Sequence, residues 1–503
     1  MQISLSAMLY TVSIAIYLFA LVGVGVYKTK MVKNSEDFMV AGRILPWYIL
    51  VGTLLATWMG SGSLFSGAGL GYRNGPAALW SSGGAWLGIA LIYFIAKRIR
   101  NFGKVTVPDI FEIRYGRTAA VLATITTVVA YLTIVSYQFR GGGKVLSMVS
   151  DGYISLEAGI IITAVFAISY TVLAGMFSVV YTDVVNGVLM TIGVLAALGF
   201  MTYNVGGVGE IITVADQAGK WSLFGNWASE RVGDISGPII AISFFVPTML
   251  LLMGDANMYQ RIFSAKDGGS AKKAVFFWII GVIILESSIS FLGLTGSVAA
   301  DKGLMPDLVA ESQLLVIESA SEAGKLPAEV DMLSARQSGS ESVIPAIAKY
   351  GGLPVIIGLI LVSTMMAIIV STADSFLLIP ATNLTRDVYQ RYININASEK
   401  QIIFISRILV LVLGVIAYLL VSQFKTVLNA AFTAYNIYGA SLTPALLAAF
   451  LWKRATKEGA VASIITGATV TIVWTYFLPN WAGFSNLHPF LQELTYPAAG
   501  LSV

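Results

Sequence analysis

Ser371, Thr372, Asp374 and Ser375 sit together inside a run that is otherwise apolar, from Val355 to Leu378. At about 20 residues per crossing, that run is long enough to span a bilayer. A carboxylate at its centre costs at least about 2.5 kcal/mol on insertion scales, so a charge there marks a function by default. Positions 371, 374 and 375 are related by three and four residues and share one helix face with Ile368. Hydroxyls, a carboxylate and a loosened backbone carbonyl are all hard oxygen donors. Such a set suits a small hard cation better than a soft metal. The cluster reads as a Na⁺ site.

Composition fixes the setting of that cluster. The chain has 503 residues, 56% hydrophobic and 12% charged, whereas a soluble domain carries about 25% charged residues. It has no cysteine, which excludes a disulfide framework, thiol catalysis and cysteine–zinc sites. Its one histidine, His488, lies in a loop with Pro and Asn and cannot build a metal cluster alone. The 49 glycines suit membrane helices that approach closely. The net charge of +4 is spread over short loops, so no nucleic-acid partner is expected. No glycine-rich loop precedes a Lys–Ser/Thr pair, which argues against ATP-driven pumping. Neither an enzyme nor an organic cofactor is expected.

Apolar runs of helix length fall near 6–27, 45–72, 77–96, 118–149, 153–174, 178–202, 236–256, 274–299, 353–380, 401–422, 426–451 and 458–478. A last apolar stretch starts near Tyr496 and reaches Val503, giving an expected total of thirteen transmembrane helices with the last cut short. The first segment lacks the basic start of a cleaved signal peptide. It is followed by Lys28, Lys30 and Lys33, which argue for an N-terminus outside and a cytoplasmic first loop. Alternation tests this orientation. Lys and Arg gather in 97–117, 257–273, 386–400 and 453–457, all assigned to the inside, while the long outer loop 300–341 is acidic. Of 31 basic residues, 21 fall inside and 8 outside, so a miscounted segment would have reversed the bias.

The second segment is expected to be broken. Residues 56–67, Ala-Thr-Trp-Met-Gly-Ser-Gly-Ser-Leu-Phe-Ser-Gly, place three glycines, three serines and a threonine at mid-span. Glycine weakens a helix by about 1 kcal/mol relative to alanine, and irregular backbone at membrane depth is tolerated only where it is buried or lines a cavity. The seventh segment, with Pro247-Thr248 and then Gly254-Asp255, is the second candidate. Two broken spans five helices apart fit a pair of inverted five-helix repeats.

Several motifs together resemble the sodium/solute symporter family. They are Gly42-Arg43, Thr182-Asp183-Val-Val-Asn186, Gln260-Arg261, and Ser371-Thr372 followed by Asp387-Val-Tyr389. The match keeps its order and spacing over essentially the whole chain. Ala-Thr-Trp58 and Ser-Thr-Ala-Asp-Ser375 are most similar to the high-affinity choline transporter branch. The resemblance implies an all-α integral membrane protein with the inverted-repeat fold first seen in a bacterial leucine transporter. In that reading 6–27 is a leading helix, 45–202 the first repeat, 236–451 the second and 452–503 the trailing helices. It also implies Na⁺ held by Ala56, Met59, Ile368, Ser371 and Thr372. Asp183, Asp374 and Ser375 would support that ion or hold a second one.

For the solute, the resemblance puts Trp58, Ser61, Trp80, Ser81 and Thr248 around a central cavity. Trp80 can equally be an interfacial anchor. The stretch Thr248–Asn257 offers Met and Leu where a cage for quaternary ammonium would want aromatics. Arg140, followed by three glycines and Lys144, offers a fork that matches a carboxylate bidentately; the other reading is that it snorkels to the outer interface. Glu286 could pair with it or with another helix. The expected function is Na⁺-coupled symport of a small organic solute, a carboxylate or a zwitterion, by a monomer in a bacterial inner membrane. H⁺ coupling and a transporter-like solute sensor are the alternatives.

Overall fold

In lipid, every backbone polar group must be satisfied within its own segment or by its protein neighbours, so the apolar runs of this chain fold as helices. The computed structural model describes residues 4–29, 34–225, 237–322, 331–478, 481 and 483. Among them, eleven helices are long and apolar enough to cross a membrane, and the chain is an all-helical membrane protein. The stretch from Tyr496, together with Lys30, Lys33 and His488, lies outside the described residues.

The helices used below are, in chain order, α1 (Leu5–Thr29), α2 (Trp47–Trp58), α3 (Ala68–Asn74), α4 (Leu79–Asn101) and α5 (Val107–Tyr115). Then come α6 (Arg117–Val149), α7 (Leu156–Asn204), α8 (Gly237–Gly254), α9 (Ala256–Phe263) and α10 (Gly268–Asp301). The last are α11 (Met332–Ser340), α12 (Val355–Asn383), α13 (Glu399–Leu420), α14 (Val427–Ser441) and α15 (Lys457–Ile472). From Met365 to Asn383 every residue of α12 is buried, its polar face included. It packs against α7 and α6, with α2 also touching it. The helix α7 contains two of the expected spans, separated by Gly175, whose φ of 63° places it in the left-handed region that glycine reaches most easily.

Three features correct or narrow the sequence expectation. The stretch 300–341, expected as an outer loop, carries the helices Leu308–Glu322 and α11 among its described residues. The inner loop expected from 386 is instead a continuation of α12 in wider, π-type turns to Ile393. Those turns bring Arg386 and Arg391 onto carboxylates of α5. Finally, of the two points offered for the second break, α8 runs unbroken through Pro247-Thr248 and is interrupted at the other, Gly254-Asp255 (Asp255 φ −56°, ψ 110°).

Small residues set one of the closest helix crossings. A Cβ at Gly71 would meet the carbonyl oxygen of Ser290, and one at Gly293 the carbonyl oxygen of Ala68, so α3 and α10 touch backbone to backbone. Such contacts replace the hydrophobic drive that lipid removes. Gly71→Ala is expected to force these helices apart and to cost about 1–3 kcal/mol. An unchanged melting temperature of the purified variant would contradict this contact.

Candidate ion and solute site

The break after α2 begins where the ladder of backbone hydrogen bonds stops. The N–H of Met59 still donates to Leu55 O (3.1 Å), but the N–H of Ser61 is diverted to Gln138 Oε1 (2.8 Å). Met59 is extended (ψ 112°), which turns its carbonyl out of the helix. Thr372 Oγ1 donates to that carbonyl at 2.8 Å. One turn back on α12, Ser371 Oγ donates to Ile368 O at 3.1 Å. Gly60 makes the approach possible: a Cβ there would lie 2.9 Å from both Gln138 Nε2 and Thr372 Cγ2. Of the residues assigned to Na⁺, Met59 and Thr372 are in direct contact, Ser371 adjoins Thr372 and bonds Ile368 one turn back, and Ala56 is in the last turn of α2. Each offers a hydroxyl or carbonyl oxygen, the donor type that hard cations take.

Beside them is a buried charge cluster. Arg261, Asp183 and Asp374 are fully buried. Arg261 reaches Asp183 Oδ2 at 3.1 Å and Ser375 Oγ at 2.7 Å through Nη2, and Thr53 Oγ1 at 2.9 Å through Nε. Its Nη1 bonds Asn257. Thr53 and Thr57 also donate to Asp183 Oδ2, at 2.7 and 3.3 Å. Asp374 accepts from Ser375 at 3.1 Å. Asp183 Oδ1 and Asp374 Oδ2 have no hydrogen-bond partner. Two carboxylates thus face one guanidinium, and two buried oxygens are left over. With both acids ionised the cluster is short of one positive charge.

The second break is built by two tyrosines. Tyr438 OH donates to Gly254 O (2.9 Å) and accepts the N–H of Ala256 (3.0 Å), bridging the interruption. Tyr131 OH donates to Asp255 and accepts the N–H of Asn257 (3.0 Å). These bonds satisfy the backbone that the break releases.

Beside the first break lies a small cavity of about 30 Å³, bordered by Trp58, Ser81, Thr248, Glu286 and Tyr435 among others. Of the residues assigned to the solute, Trp58, Ser81 and Thr248 border it and three lie elsewhere. Ser61 is buried at the break. Trp80 donates its Nε1–H to Leu223 O (2.8 Å) and stacks on Phe224 at 5.5 Å. Arg140 donates to the carbonyls of Val421 (3.0 Å) and Lys425 (3.4 Å), because the end of α13 presents unpaired carbonyls to its fork. It therefore caps that helix end and does not face the cavity. Lys144, one turn further on, forms a buried pair with Glu341 (2.6 Å). Gln260-Arg261 entered the sequence reading only as a motif without a role, and Glu286 without a partner; for Glu286 the usable signal was the same charge-in-an-apolar-run pattern that marked Asp374.

At the start of α5, Asp109 takes Arg391 Nη2 at 2.6 Å, Arg386 Nε at 3.6 Å and the N–H groups of Val105 and Thr106 at 3.2 Å. Thr106 also donates to Asp387 (3.0 Å), so the Asp387 motif ties the end of α12 to α5. Burial raises the Asp109 carboxyl, but Arg386, Arg391 and the Val105 N–H outweigh it and hold the group below the usual range. A depressed acid stabilises the fold above its unfolded value of about 4 and loses that contribution as pH falls through the folded value. Melts on acidification should therefore fall more steeply below about pH 4 in wild type than in Asp109→Asn; parallel curves would contradict the role of this knot.

The architecture is that of an all-helical integral membrane protein with a leucine-transporter-type fold. Its fold is shared with a Na⁺-coupled sialic acid symporter solved in a substrate-bound outward-open state (TM-score 0.76, 19% identity, 98% of this chain and 96% of that one). It is shared more distantly with Mhp1, a nucleobase-cation-symport-1 family transporter (TM-score 0.56, 14% identity, 93% of each chain). Residues 38–467 match the model of the sodium:solute symporter family, and the chain belongs to that family. Similar relatives include the osmoregulated proline transporter OpuE of Bacillus subtilis (25% identity, 92% of this chain and 88% of the relative). Another is the sodium/proline symporter of Escherichia coli (25% identity, 95% and 89%).

Proposed function

We propose that the chain imports a small zwitterionic solute together with Na⁺ across a bacterial plasma membrane by alternating access. The observation that carries this reading is the 2.8 Å contact between Thr372 Oγ1 and the Met59 carbonyl. It joins a hydroxyl of α12 to a carbonyl freed by the break after α2, so a cation held there binds both helices and favours the conformation in which they meet. Ala56, Met59, Ile368, Ser371 and Thr372 are its ligands. Asp183, Asp374 and Ser375 form a supporting or second cation site. In this cycle Na⁺ enters from outside, stabilises the outward-open form and completes the solute cavity; the low Na⁺ of the cytoplasm then releases it. Reciprocity requires that solute tighten Na⁺ binding by the same factor.

The breaks at Met59 and Asp255 support two inverted repeats of five helices, 45–202 and 236–451. They follow the leading helix α1 and precede the trailing helices from 452, in a thirteen-helix monomer with its N-terminus outside. Proline transport by similar bacterial proteins supports a zwitterion. So does the lining of the cavity, which includes no lysine or arginine for a purely anionic solute to pair with. A second reading, H⁺ coupling, is favoured by the partnerless oxygens of Asp183 and Asp374. Uptake of radiolabelled L-proline into proteoliposomes separates the two. Accumulation driven by an inward Na⁺ gradient at equal pH supports Na⁺ coupling. Accumulation driven by a pH gradient without Na⁺ overturns it in favour of the proton.

A further inference from the structure

We infer that Glu286 is the anchor for a protonated amine on the carried solute, an assignment that rests on the reading of the cavity as the solute site. Glu286 sits in the interior of α10, 5% exposed, and is the one ionisable acid or base among the cavity-lining residues apart from the phenol of Tyr435. Trp58 Nε1 donates to its Oε1 at 2.8 Å and Trp86 Nε1 to its Oε2 at 3.0 Å. Indole N–H groups only donate, so both oxygens act as acceptors and the carboxyl is held in one orientation. Ser82 also hydrogen-bonds the carboxyl; a carboxylate has about four acceptor positions, so these three donors leave one for a group arriving from the cavity. No lysine or arginine among the described residues pairs with Glu286. Buried charges are normally paired. Here the missing partner faces the space where a solute would sit.

The surrounding surfaces fit the same ligand. The ring of Trp58 stacks on Tyr435 with centroids 6.4 Å apart, and both border the cavity, offering π faces to a cationic nitrogen. Ser63, Ser66 and Ser81 supply neutral hydrogen-bonding groups along other parts of the lining, suited to the remaining polar atoms of a small zwitterion. A merely structural role, in which Glu286 clamps two tryptophans, predicts no dependence on solute charge. The amine role predicts one.

The test uses thermal stability of the purified full chain, in Na⁺ and in K⁺, with three classes of probe. L-Proline, L-alanine and γ-aminobutyrate carry an amine, N-acetyl-L-proline and succinate are anions without one, and galactose is uncharged. The expected result is a Na⁺-dependent rise in melting temperature with at least one amine probe and none with N-acetyl-L-proline, succinate or galactose. In Glu286→Gln the apparent affinity for that probe falls at least tenfold while the shift given by Na⁺ alone is kept; Glu286→Asp, which retains the charge, recovers part of the loss. A Na⁺-dependent response to an anionic or uncharged probe that survives Glu286→Gln overturns the amine assignment and leaves Na⁺ coupling standing. So does a normal Na⁺ shift with no response to any amine. Melts that Na⁺ never moves overturn the underlying symporter reading instead.

Discussion

Arg261→Leu is expected to be the most damaging single substitution in the membrane interior, costing about 3–5 kcal/mol of stability. The guanidinium is fully buried and its partners come from three other helices: Asp183 on α7, Ser375 on α12 and Thr53 on α2. Removing it leaves Asp183 and Asp374 facing each other without a counter-charge, and uncompensated buried charge is the expensive part of breaking such a pair. The same argument fixes the sign of a rescue. In an Asp183→Asn background, Arg261→Leu should cost clearly less, because one of the stranded charges has gone. Unfolding in detergent or in lipid nanodiscs, compared across the four members of this cycle, gives the coupling. Equal losses in both backgrounds would mean that Arg261 matters for packing and not for charge.

Thr372→Ala combined with Ser371→Ala is expected to leave the fold nearly intact while weakening Na⁺ binding at least tenfold, a change of about 1.4 kcal/mol or more. The hydrogen bonds lost are neutral ones to the carbonyls of Met59 and Ile368, worth about 0.5–1.5 kcal/mol each to folding. The cation loses two ligands on one side and keeps the carbonyls of α2. Solute binding should then fall in Na⁺ towards the level seen in K⁺, since the ion no longer biases the helices. The readout is the Na⁺ concentration that gives half the maximal stabilisation. A double variant with an unshifted Na⁺ midpoint would remove α12 from the ion site.

The α12 cluster was legible in the sequence because four polar residues stand out in an apolar run, and helical spacing alone puts three of them on one face. The break after α2 was legible for a similar reason: glycines and serines dense at mid-span have no other tolerable use in lipid. The second break was legible at Gly254-Asp255 but not at Pro247, which α8 absorbs; Tyr438 and Tyr131 bridge the gap at Asp255. No local pattern names those tyrosines; they lie more than a hundred residues away in the chain. Arg261 was visible in the sequence only as half of the Gln260-Arg261 motif, and only the fold turns it towards Asp183. Arg140 and Lys144, four residues apart, show the limit in miniature. One caps the end of α13 and the other pairs with Glu341, a distinction set by tertiary neighbours and invisible in their spacing. Glu286 carried the same signal as Asp374, but its partners Trp58 and Trp86 could not be chosen without coordinates.

The most direct test of Na⁺ coupling through the α2 break and α12 is equilibrium binding of ²²Na⁺ to the purified protein, for wild type and for Ser371→Ala/Thr372→Ala. The expected result is saturable binding displaced by unlabelled Na⁺ and not by K⁺, strengthened by a solute that the protein carries, and weakened at least tenfold in the double variant. Binding of the same strength in both proteins, or none in wild type, would contradict it.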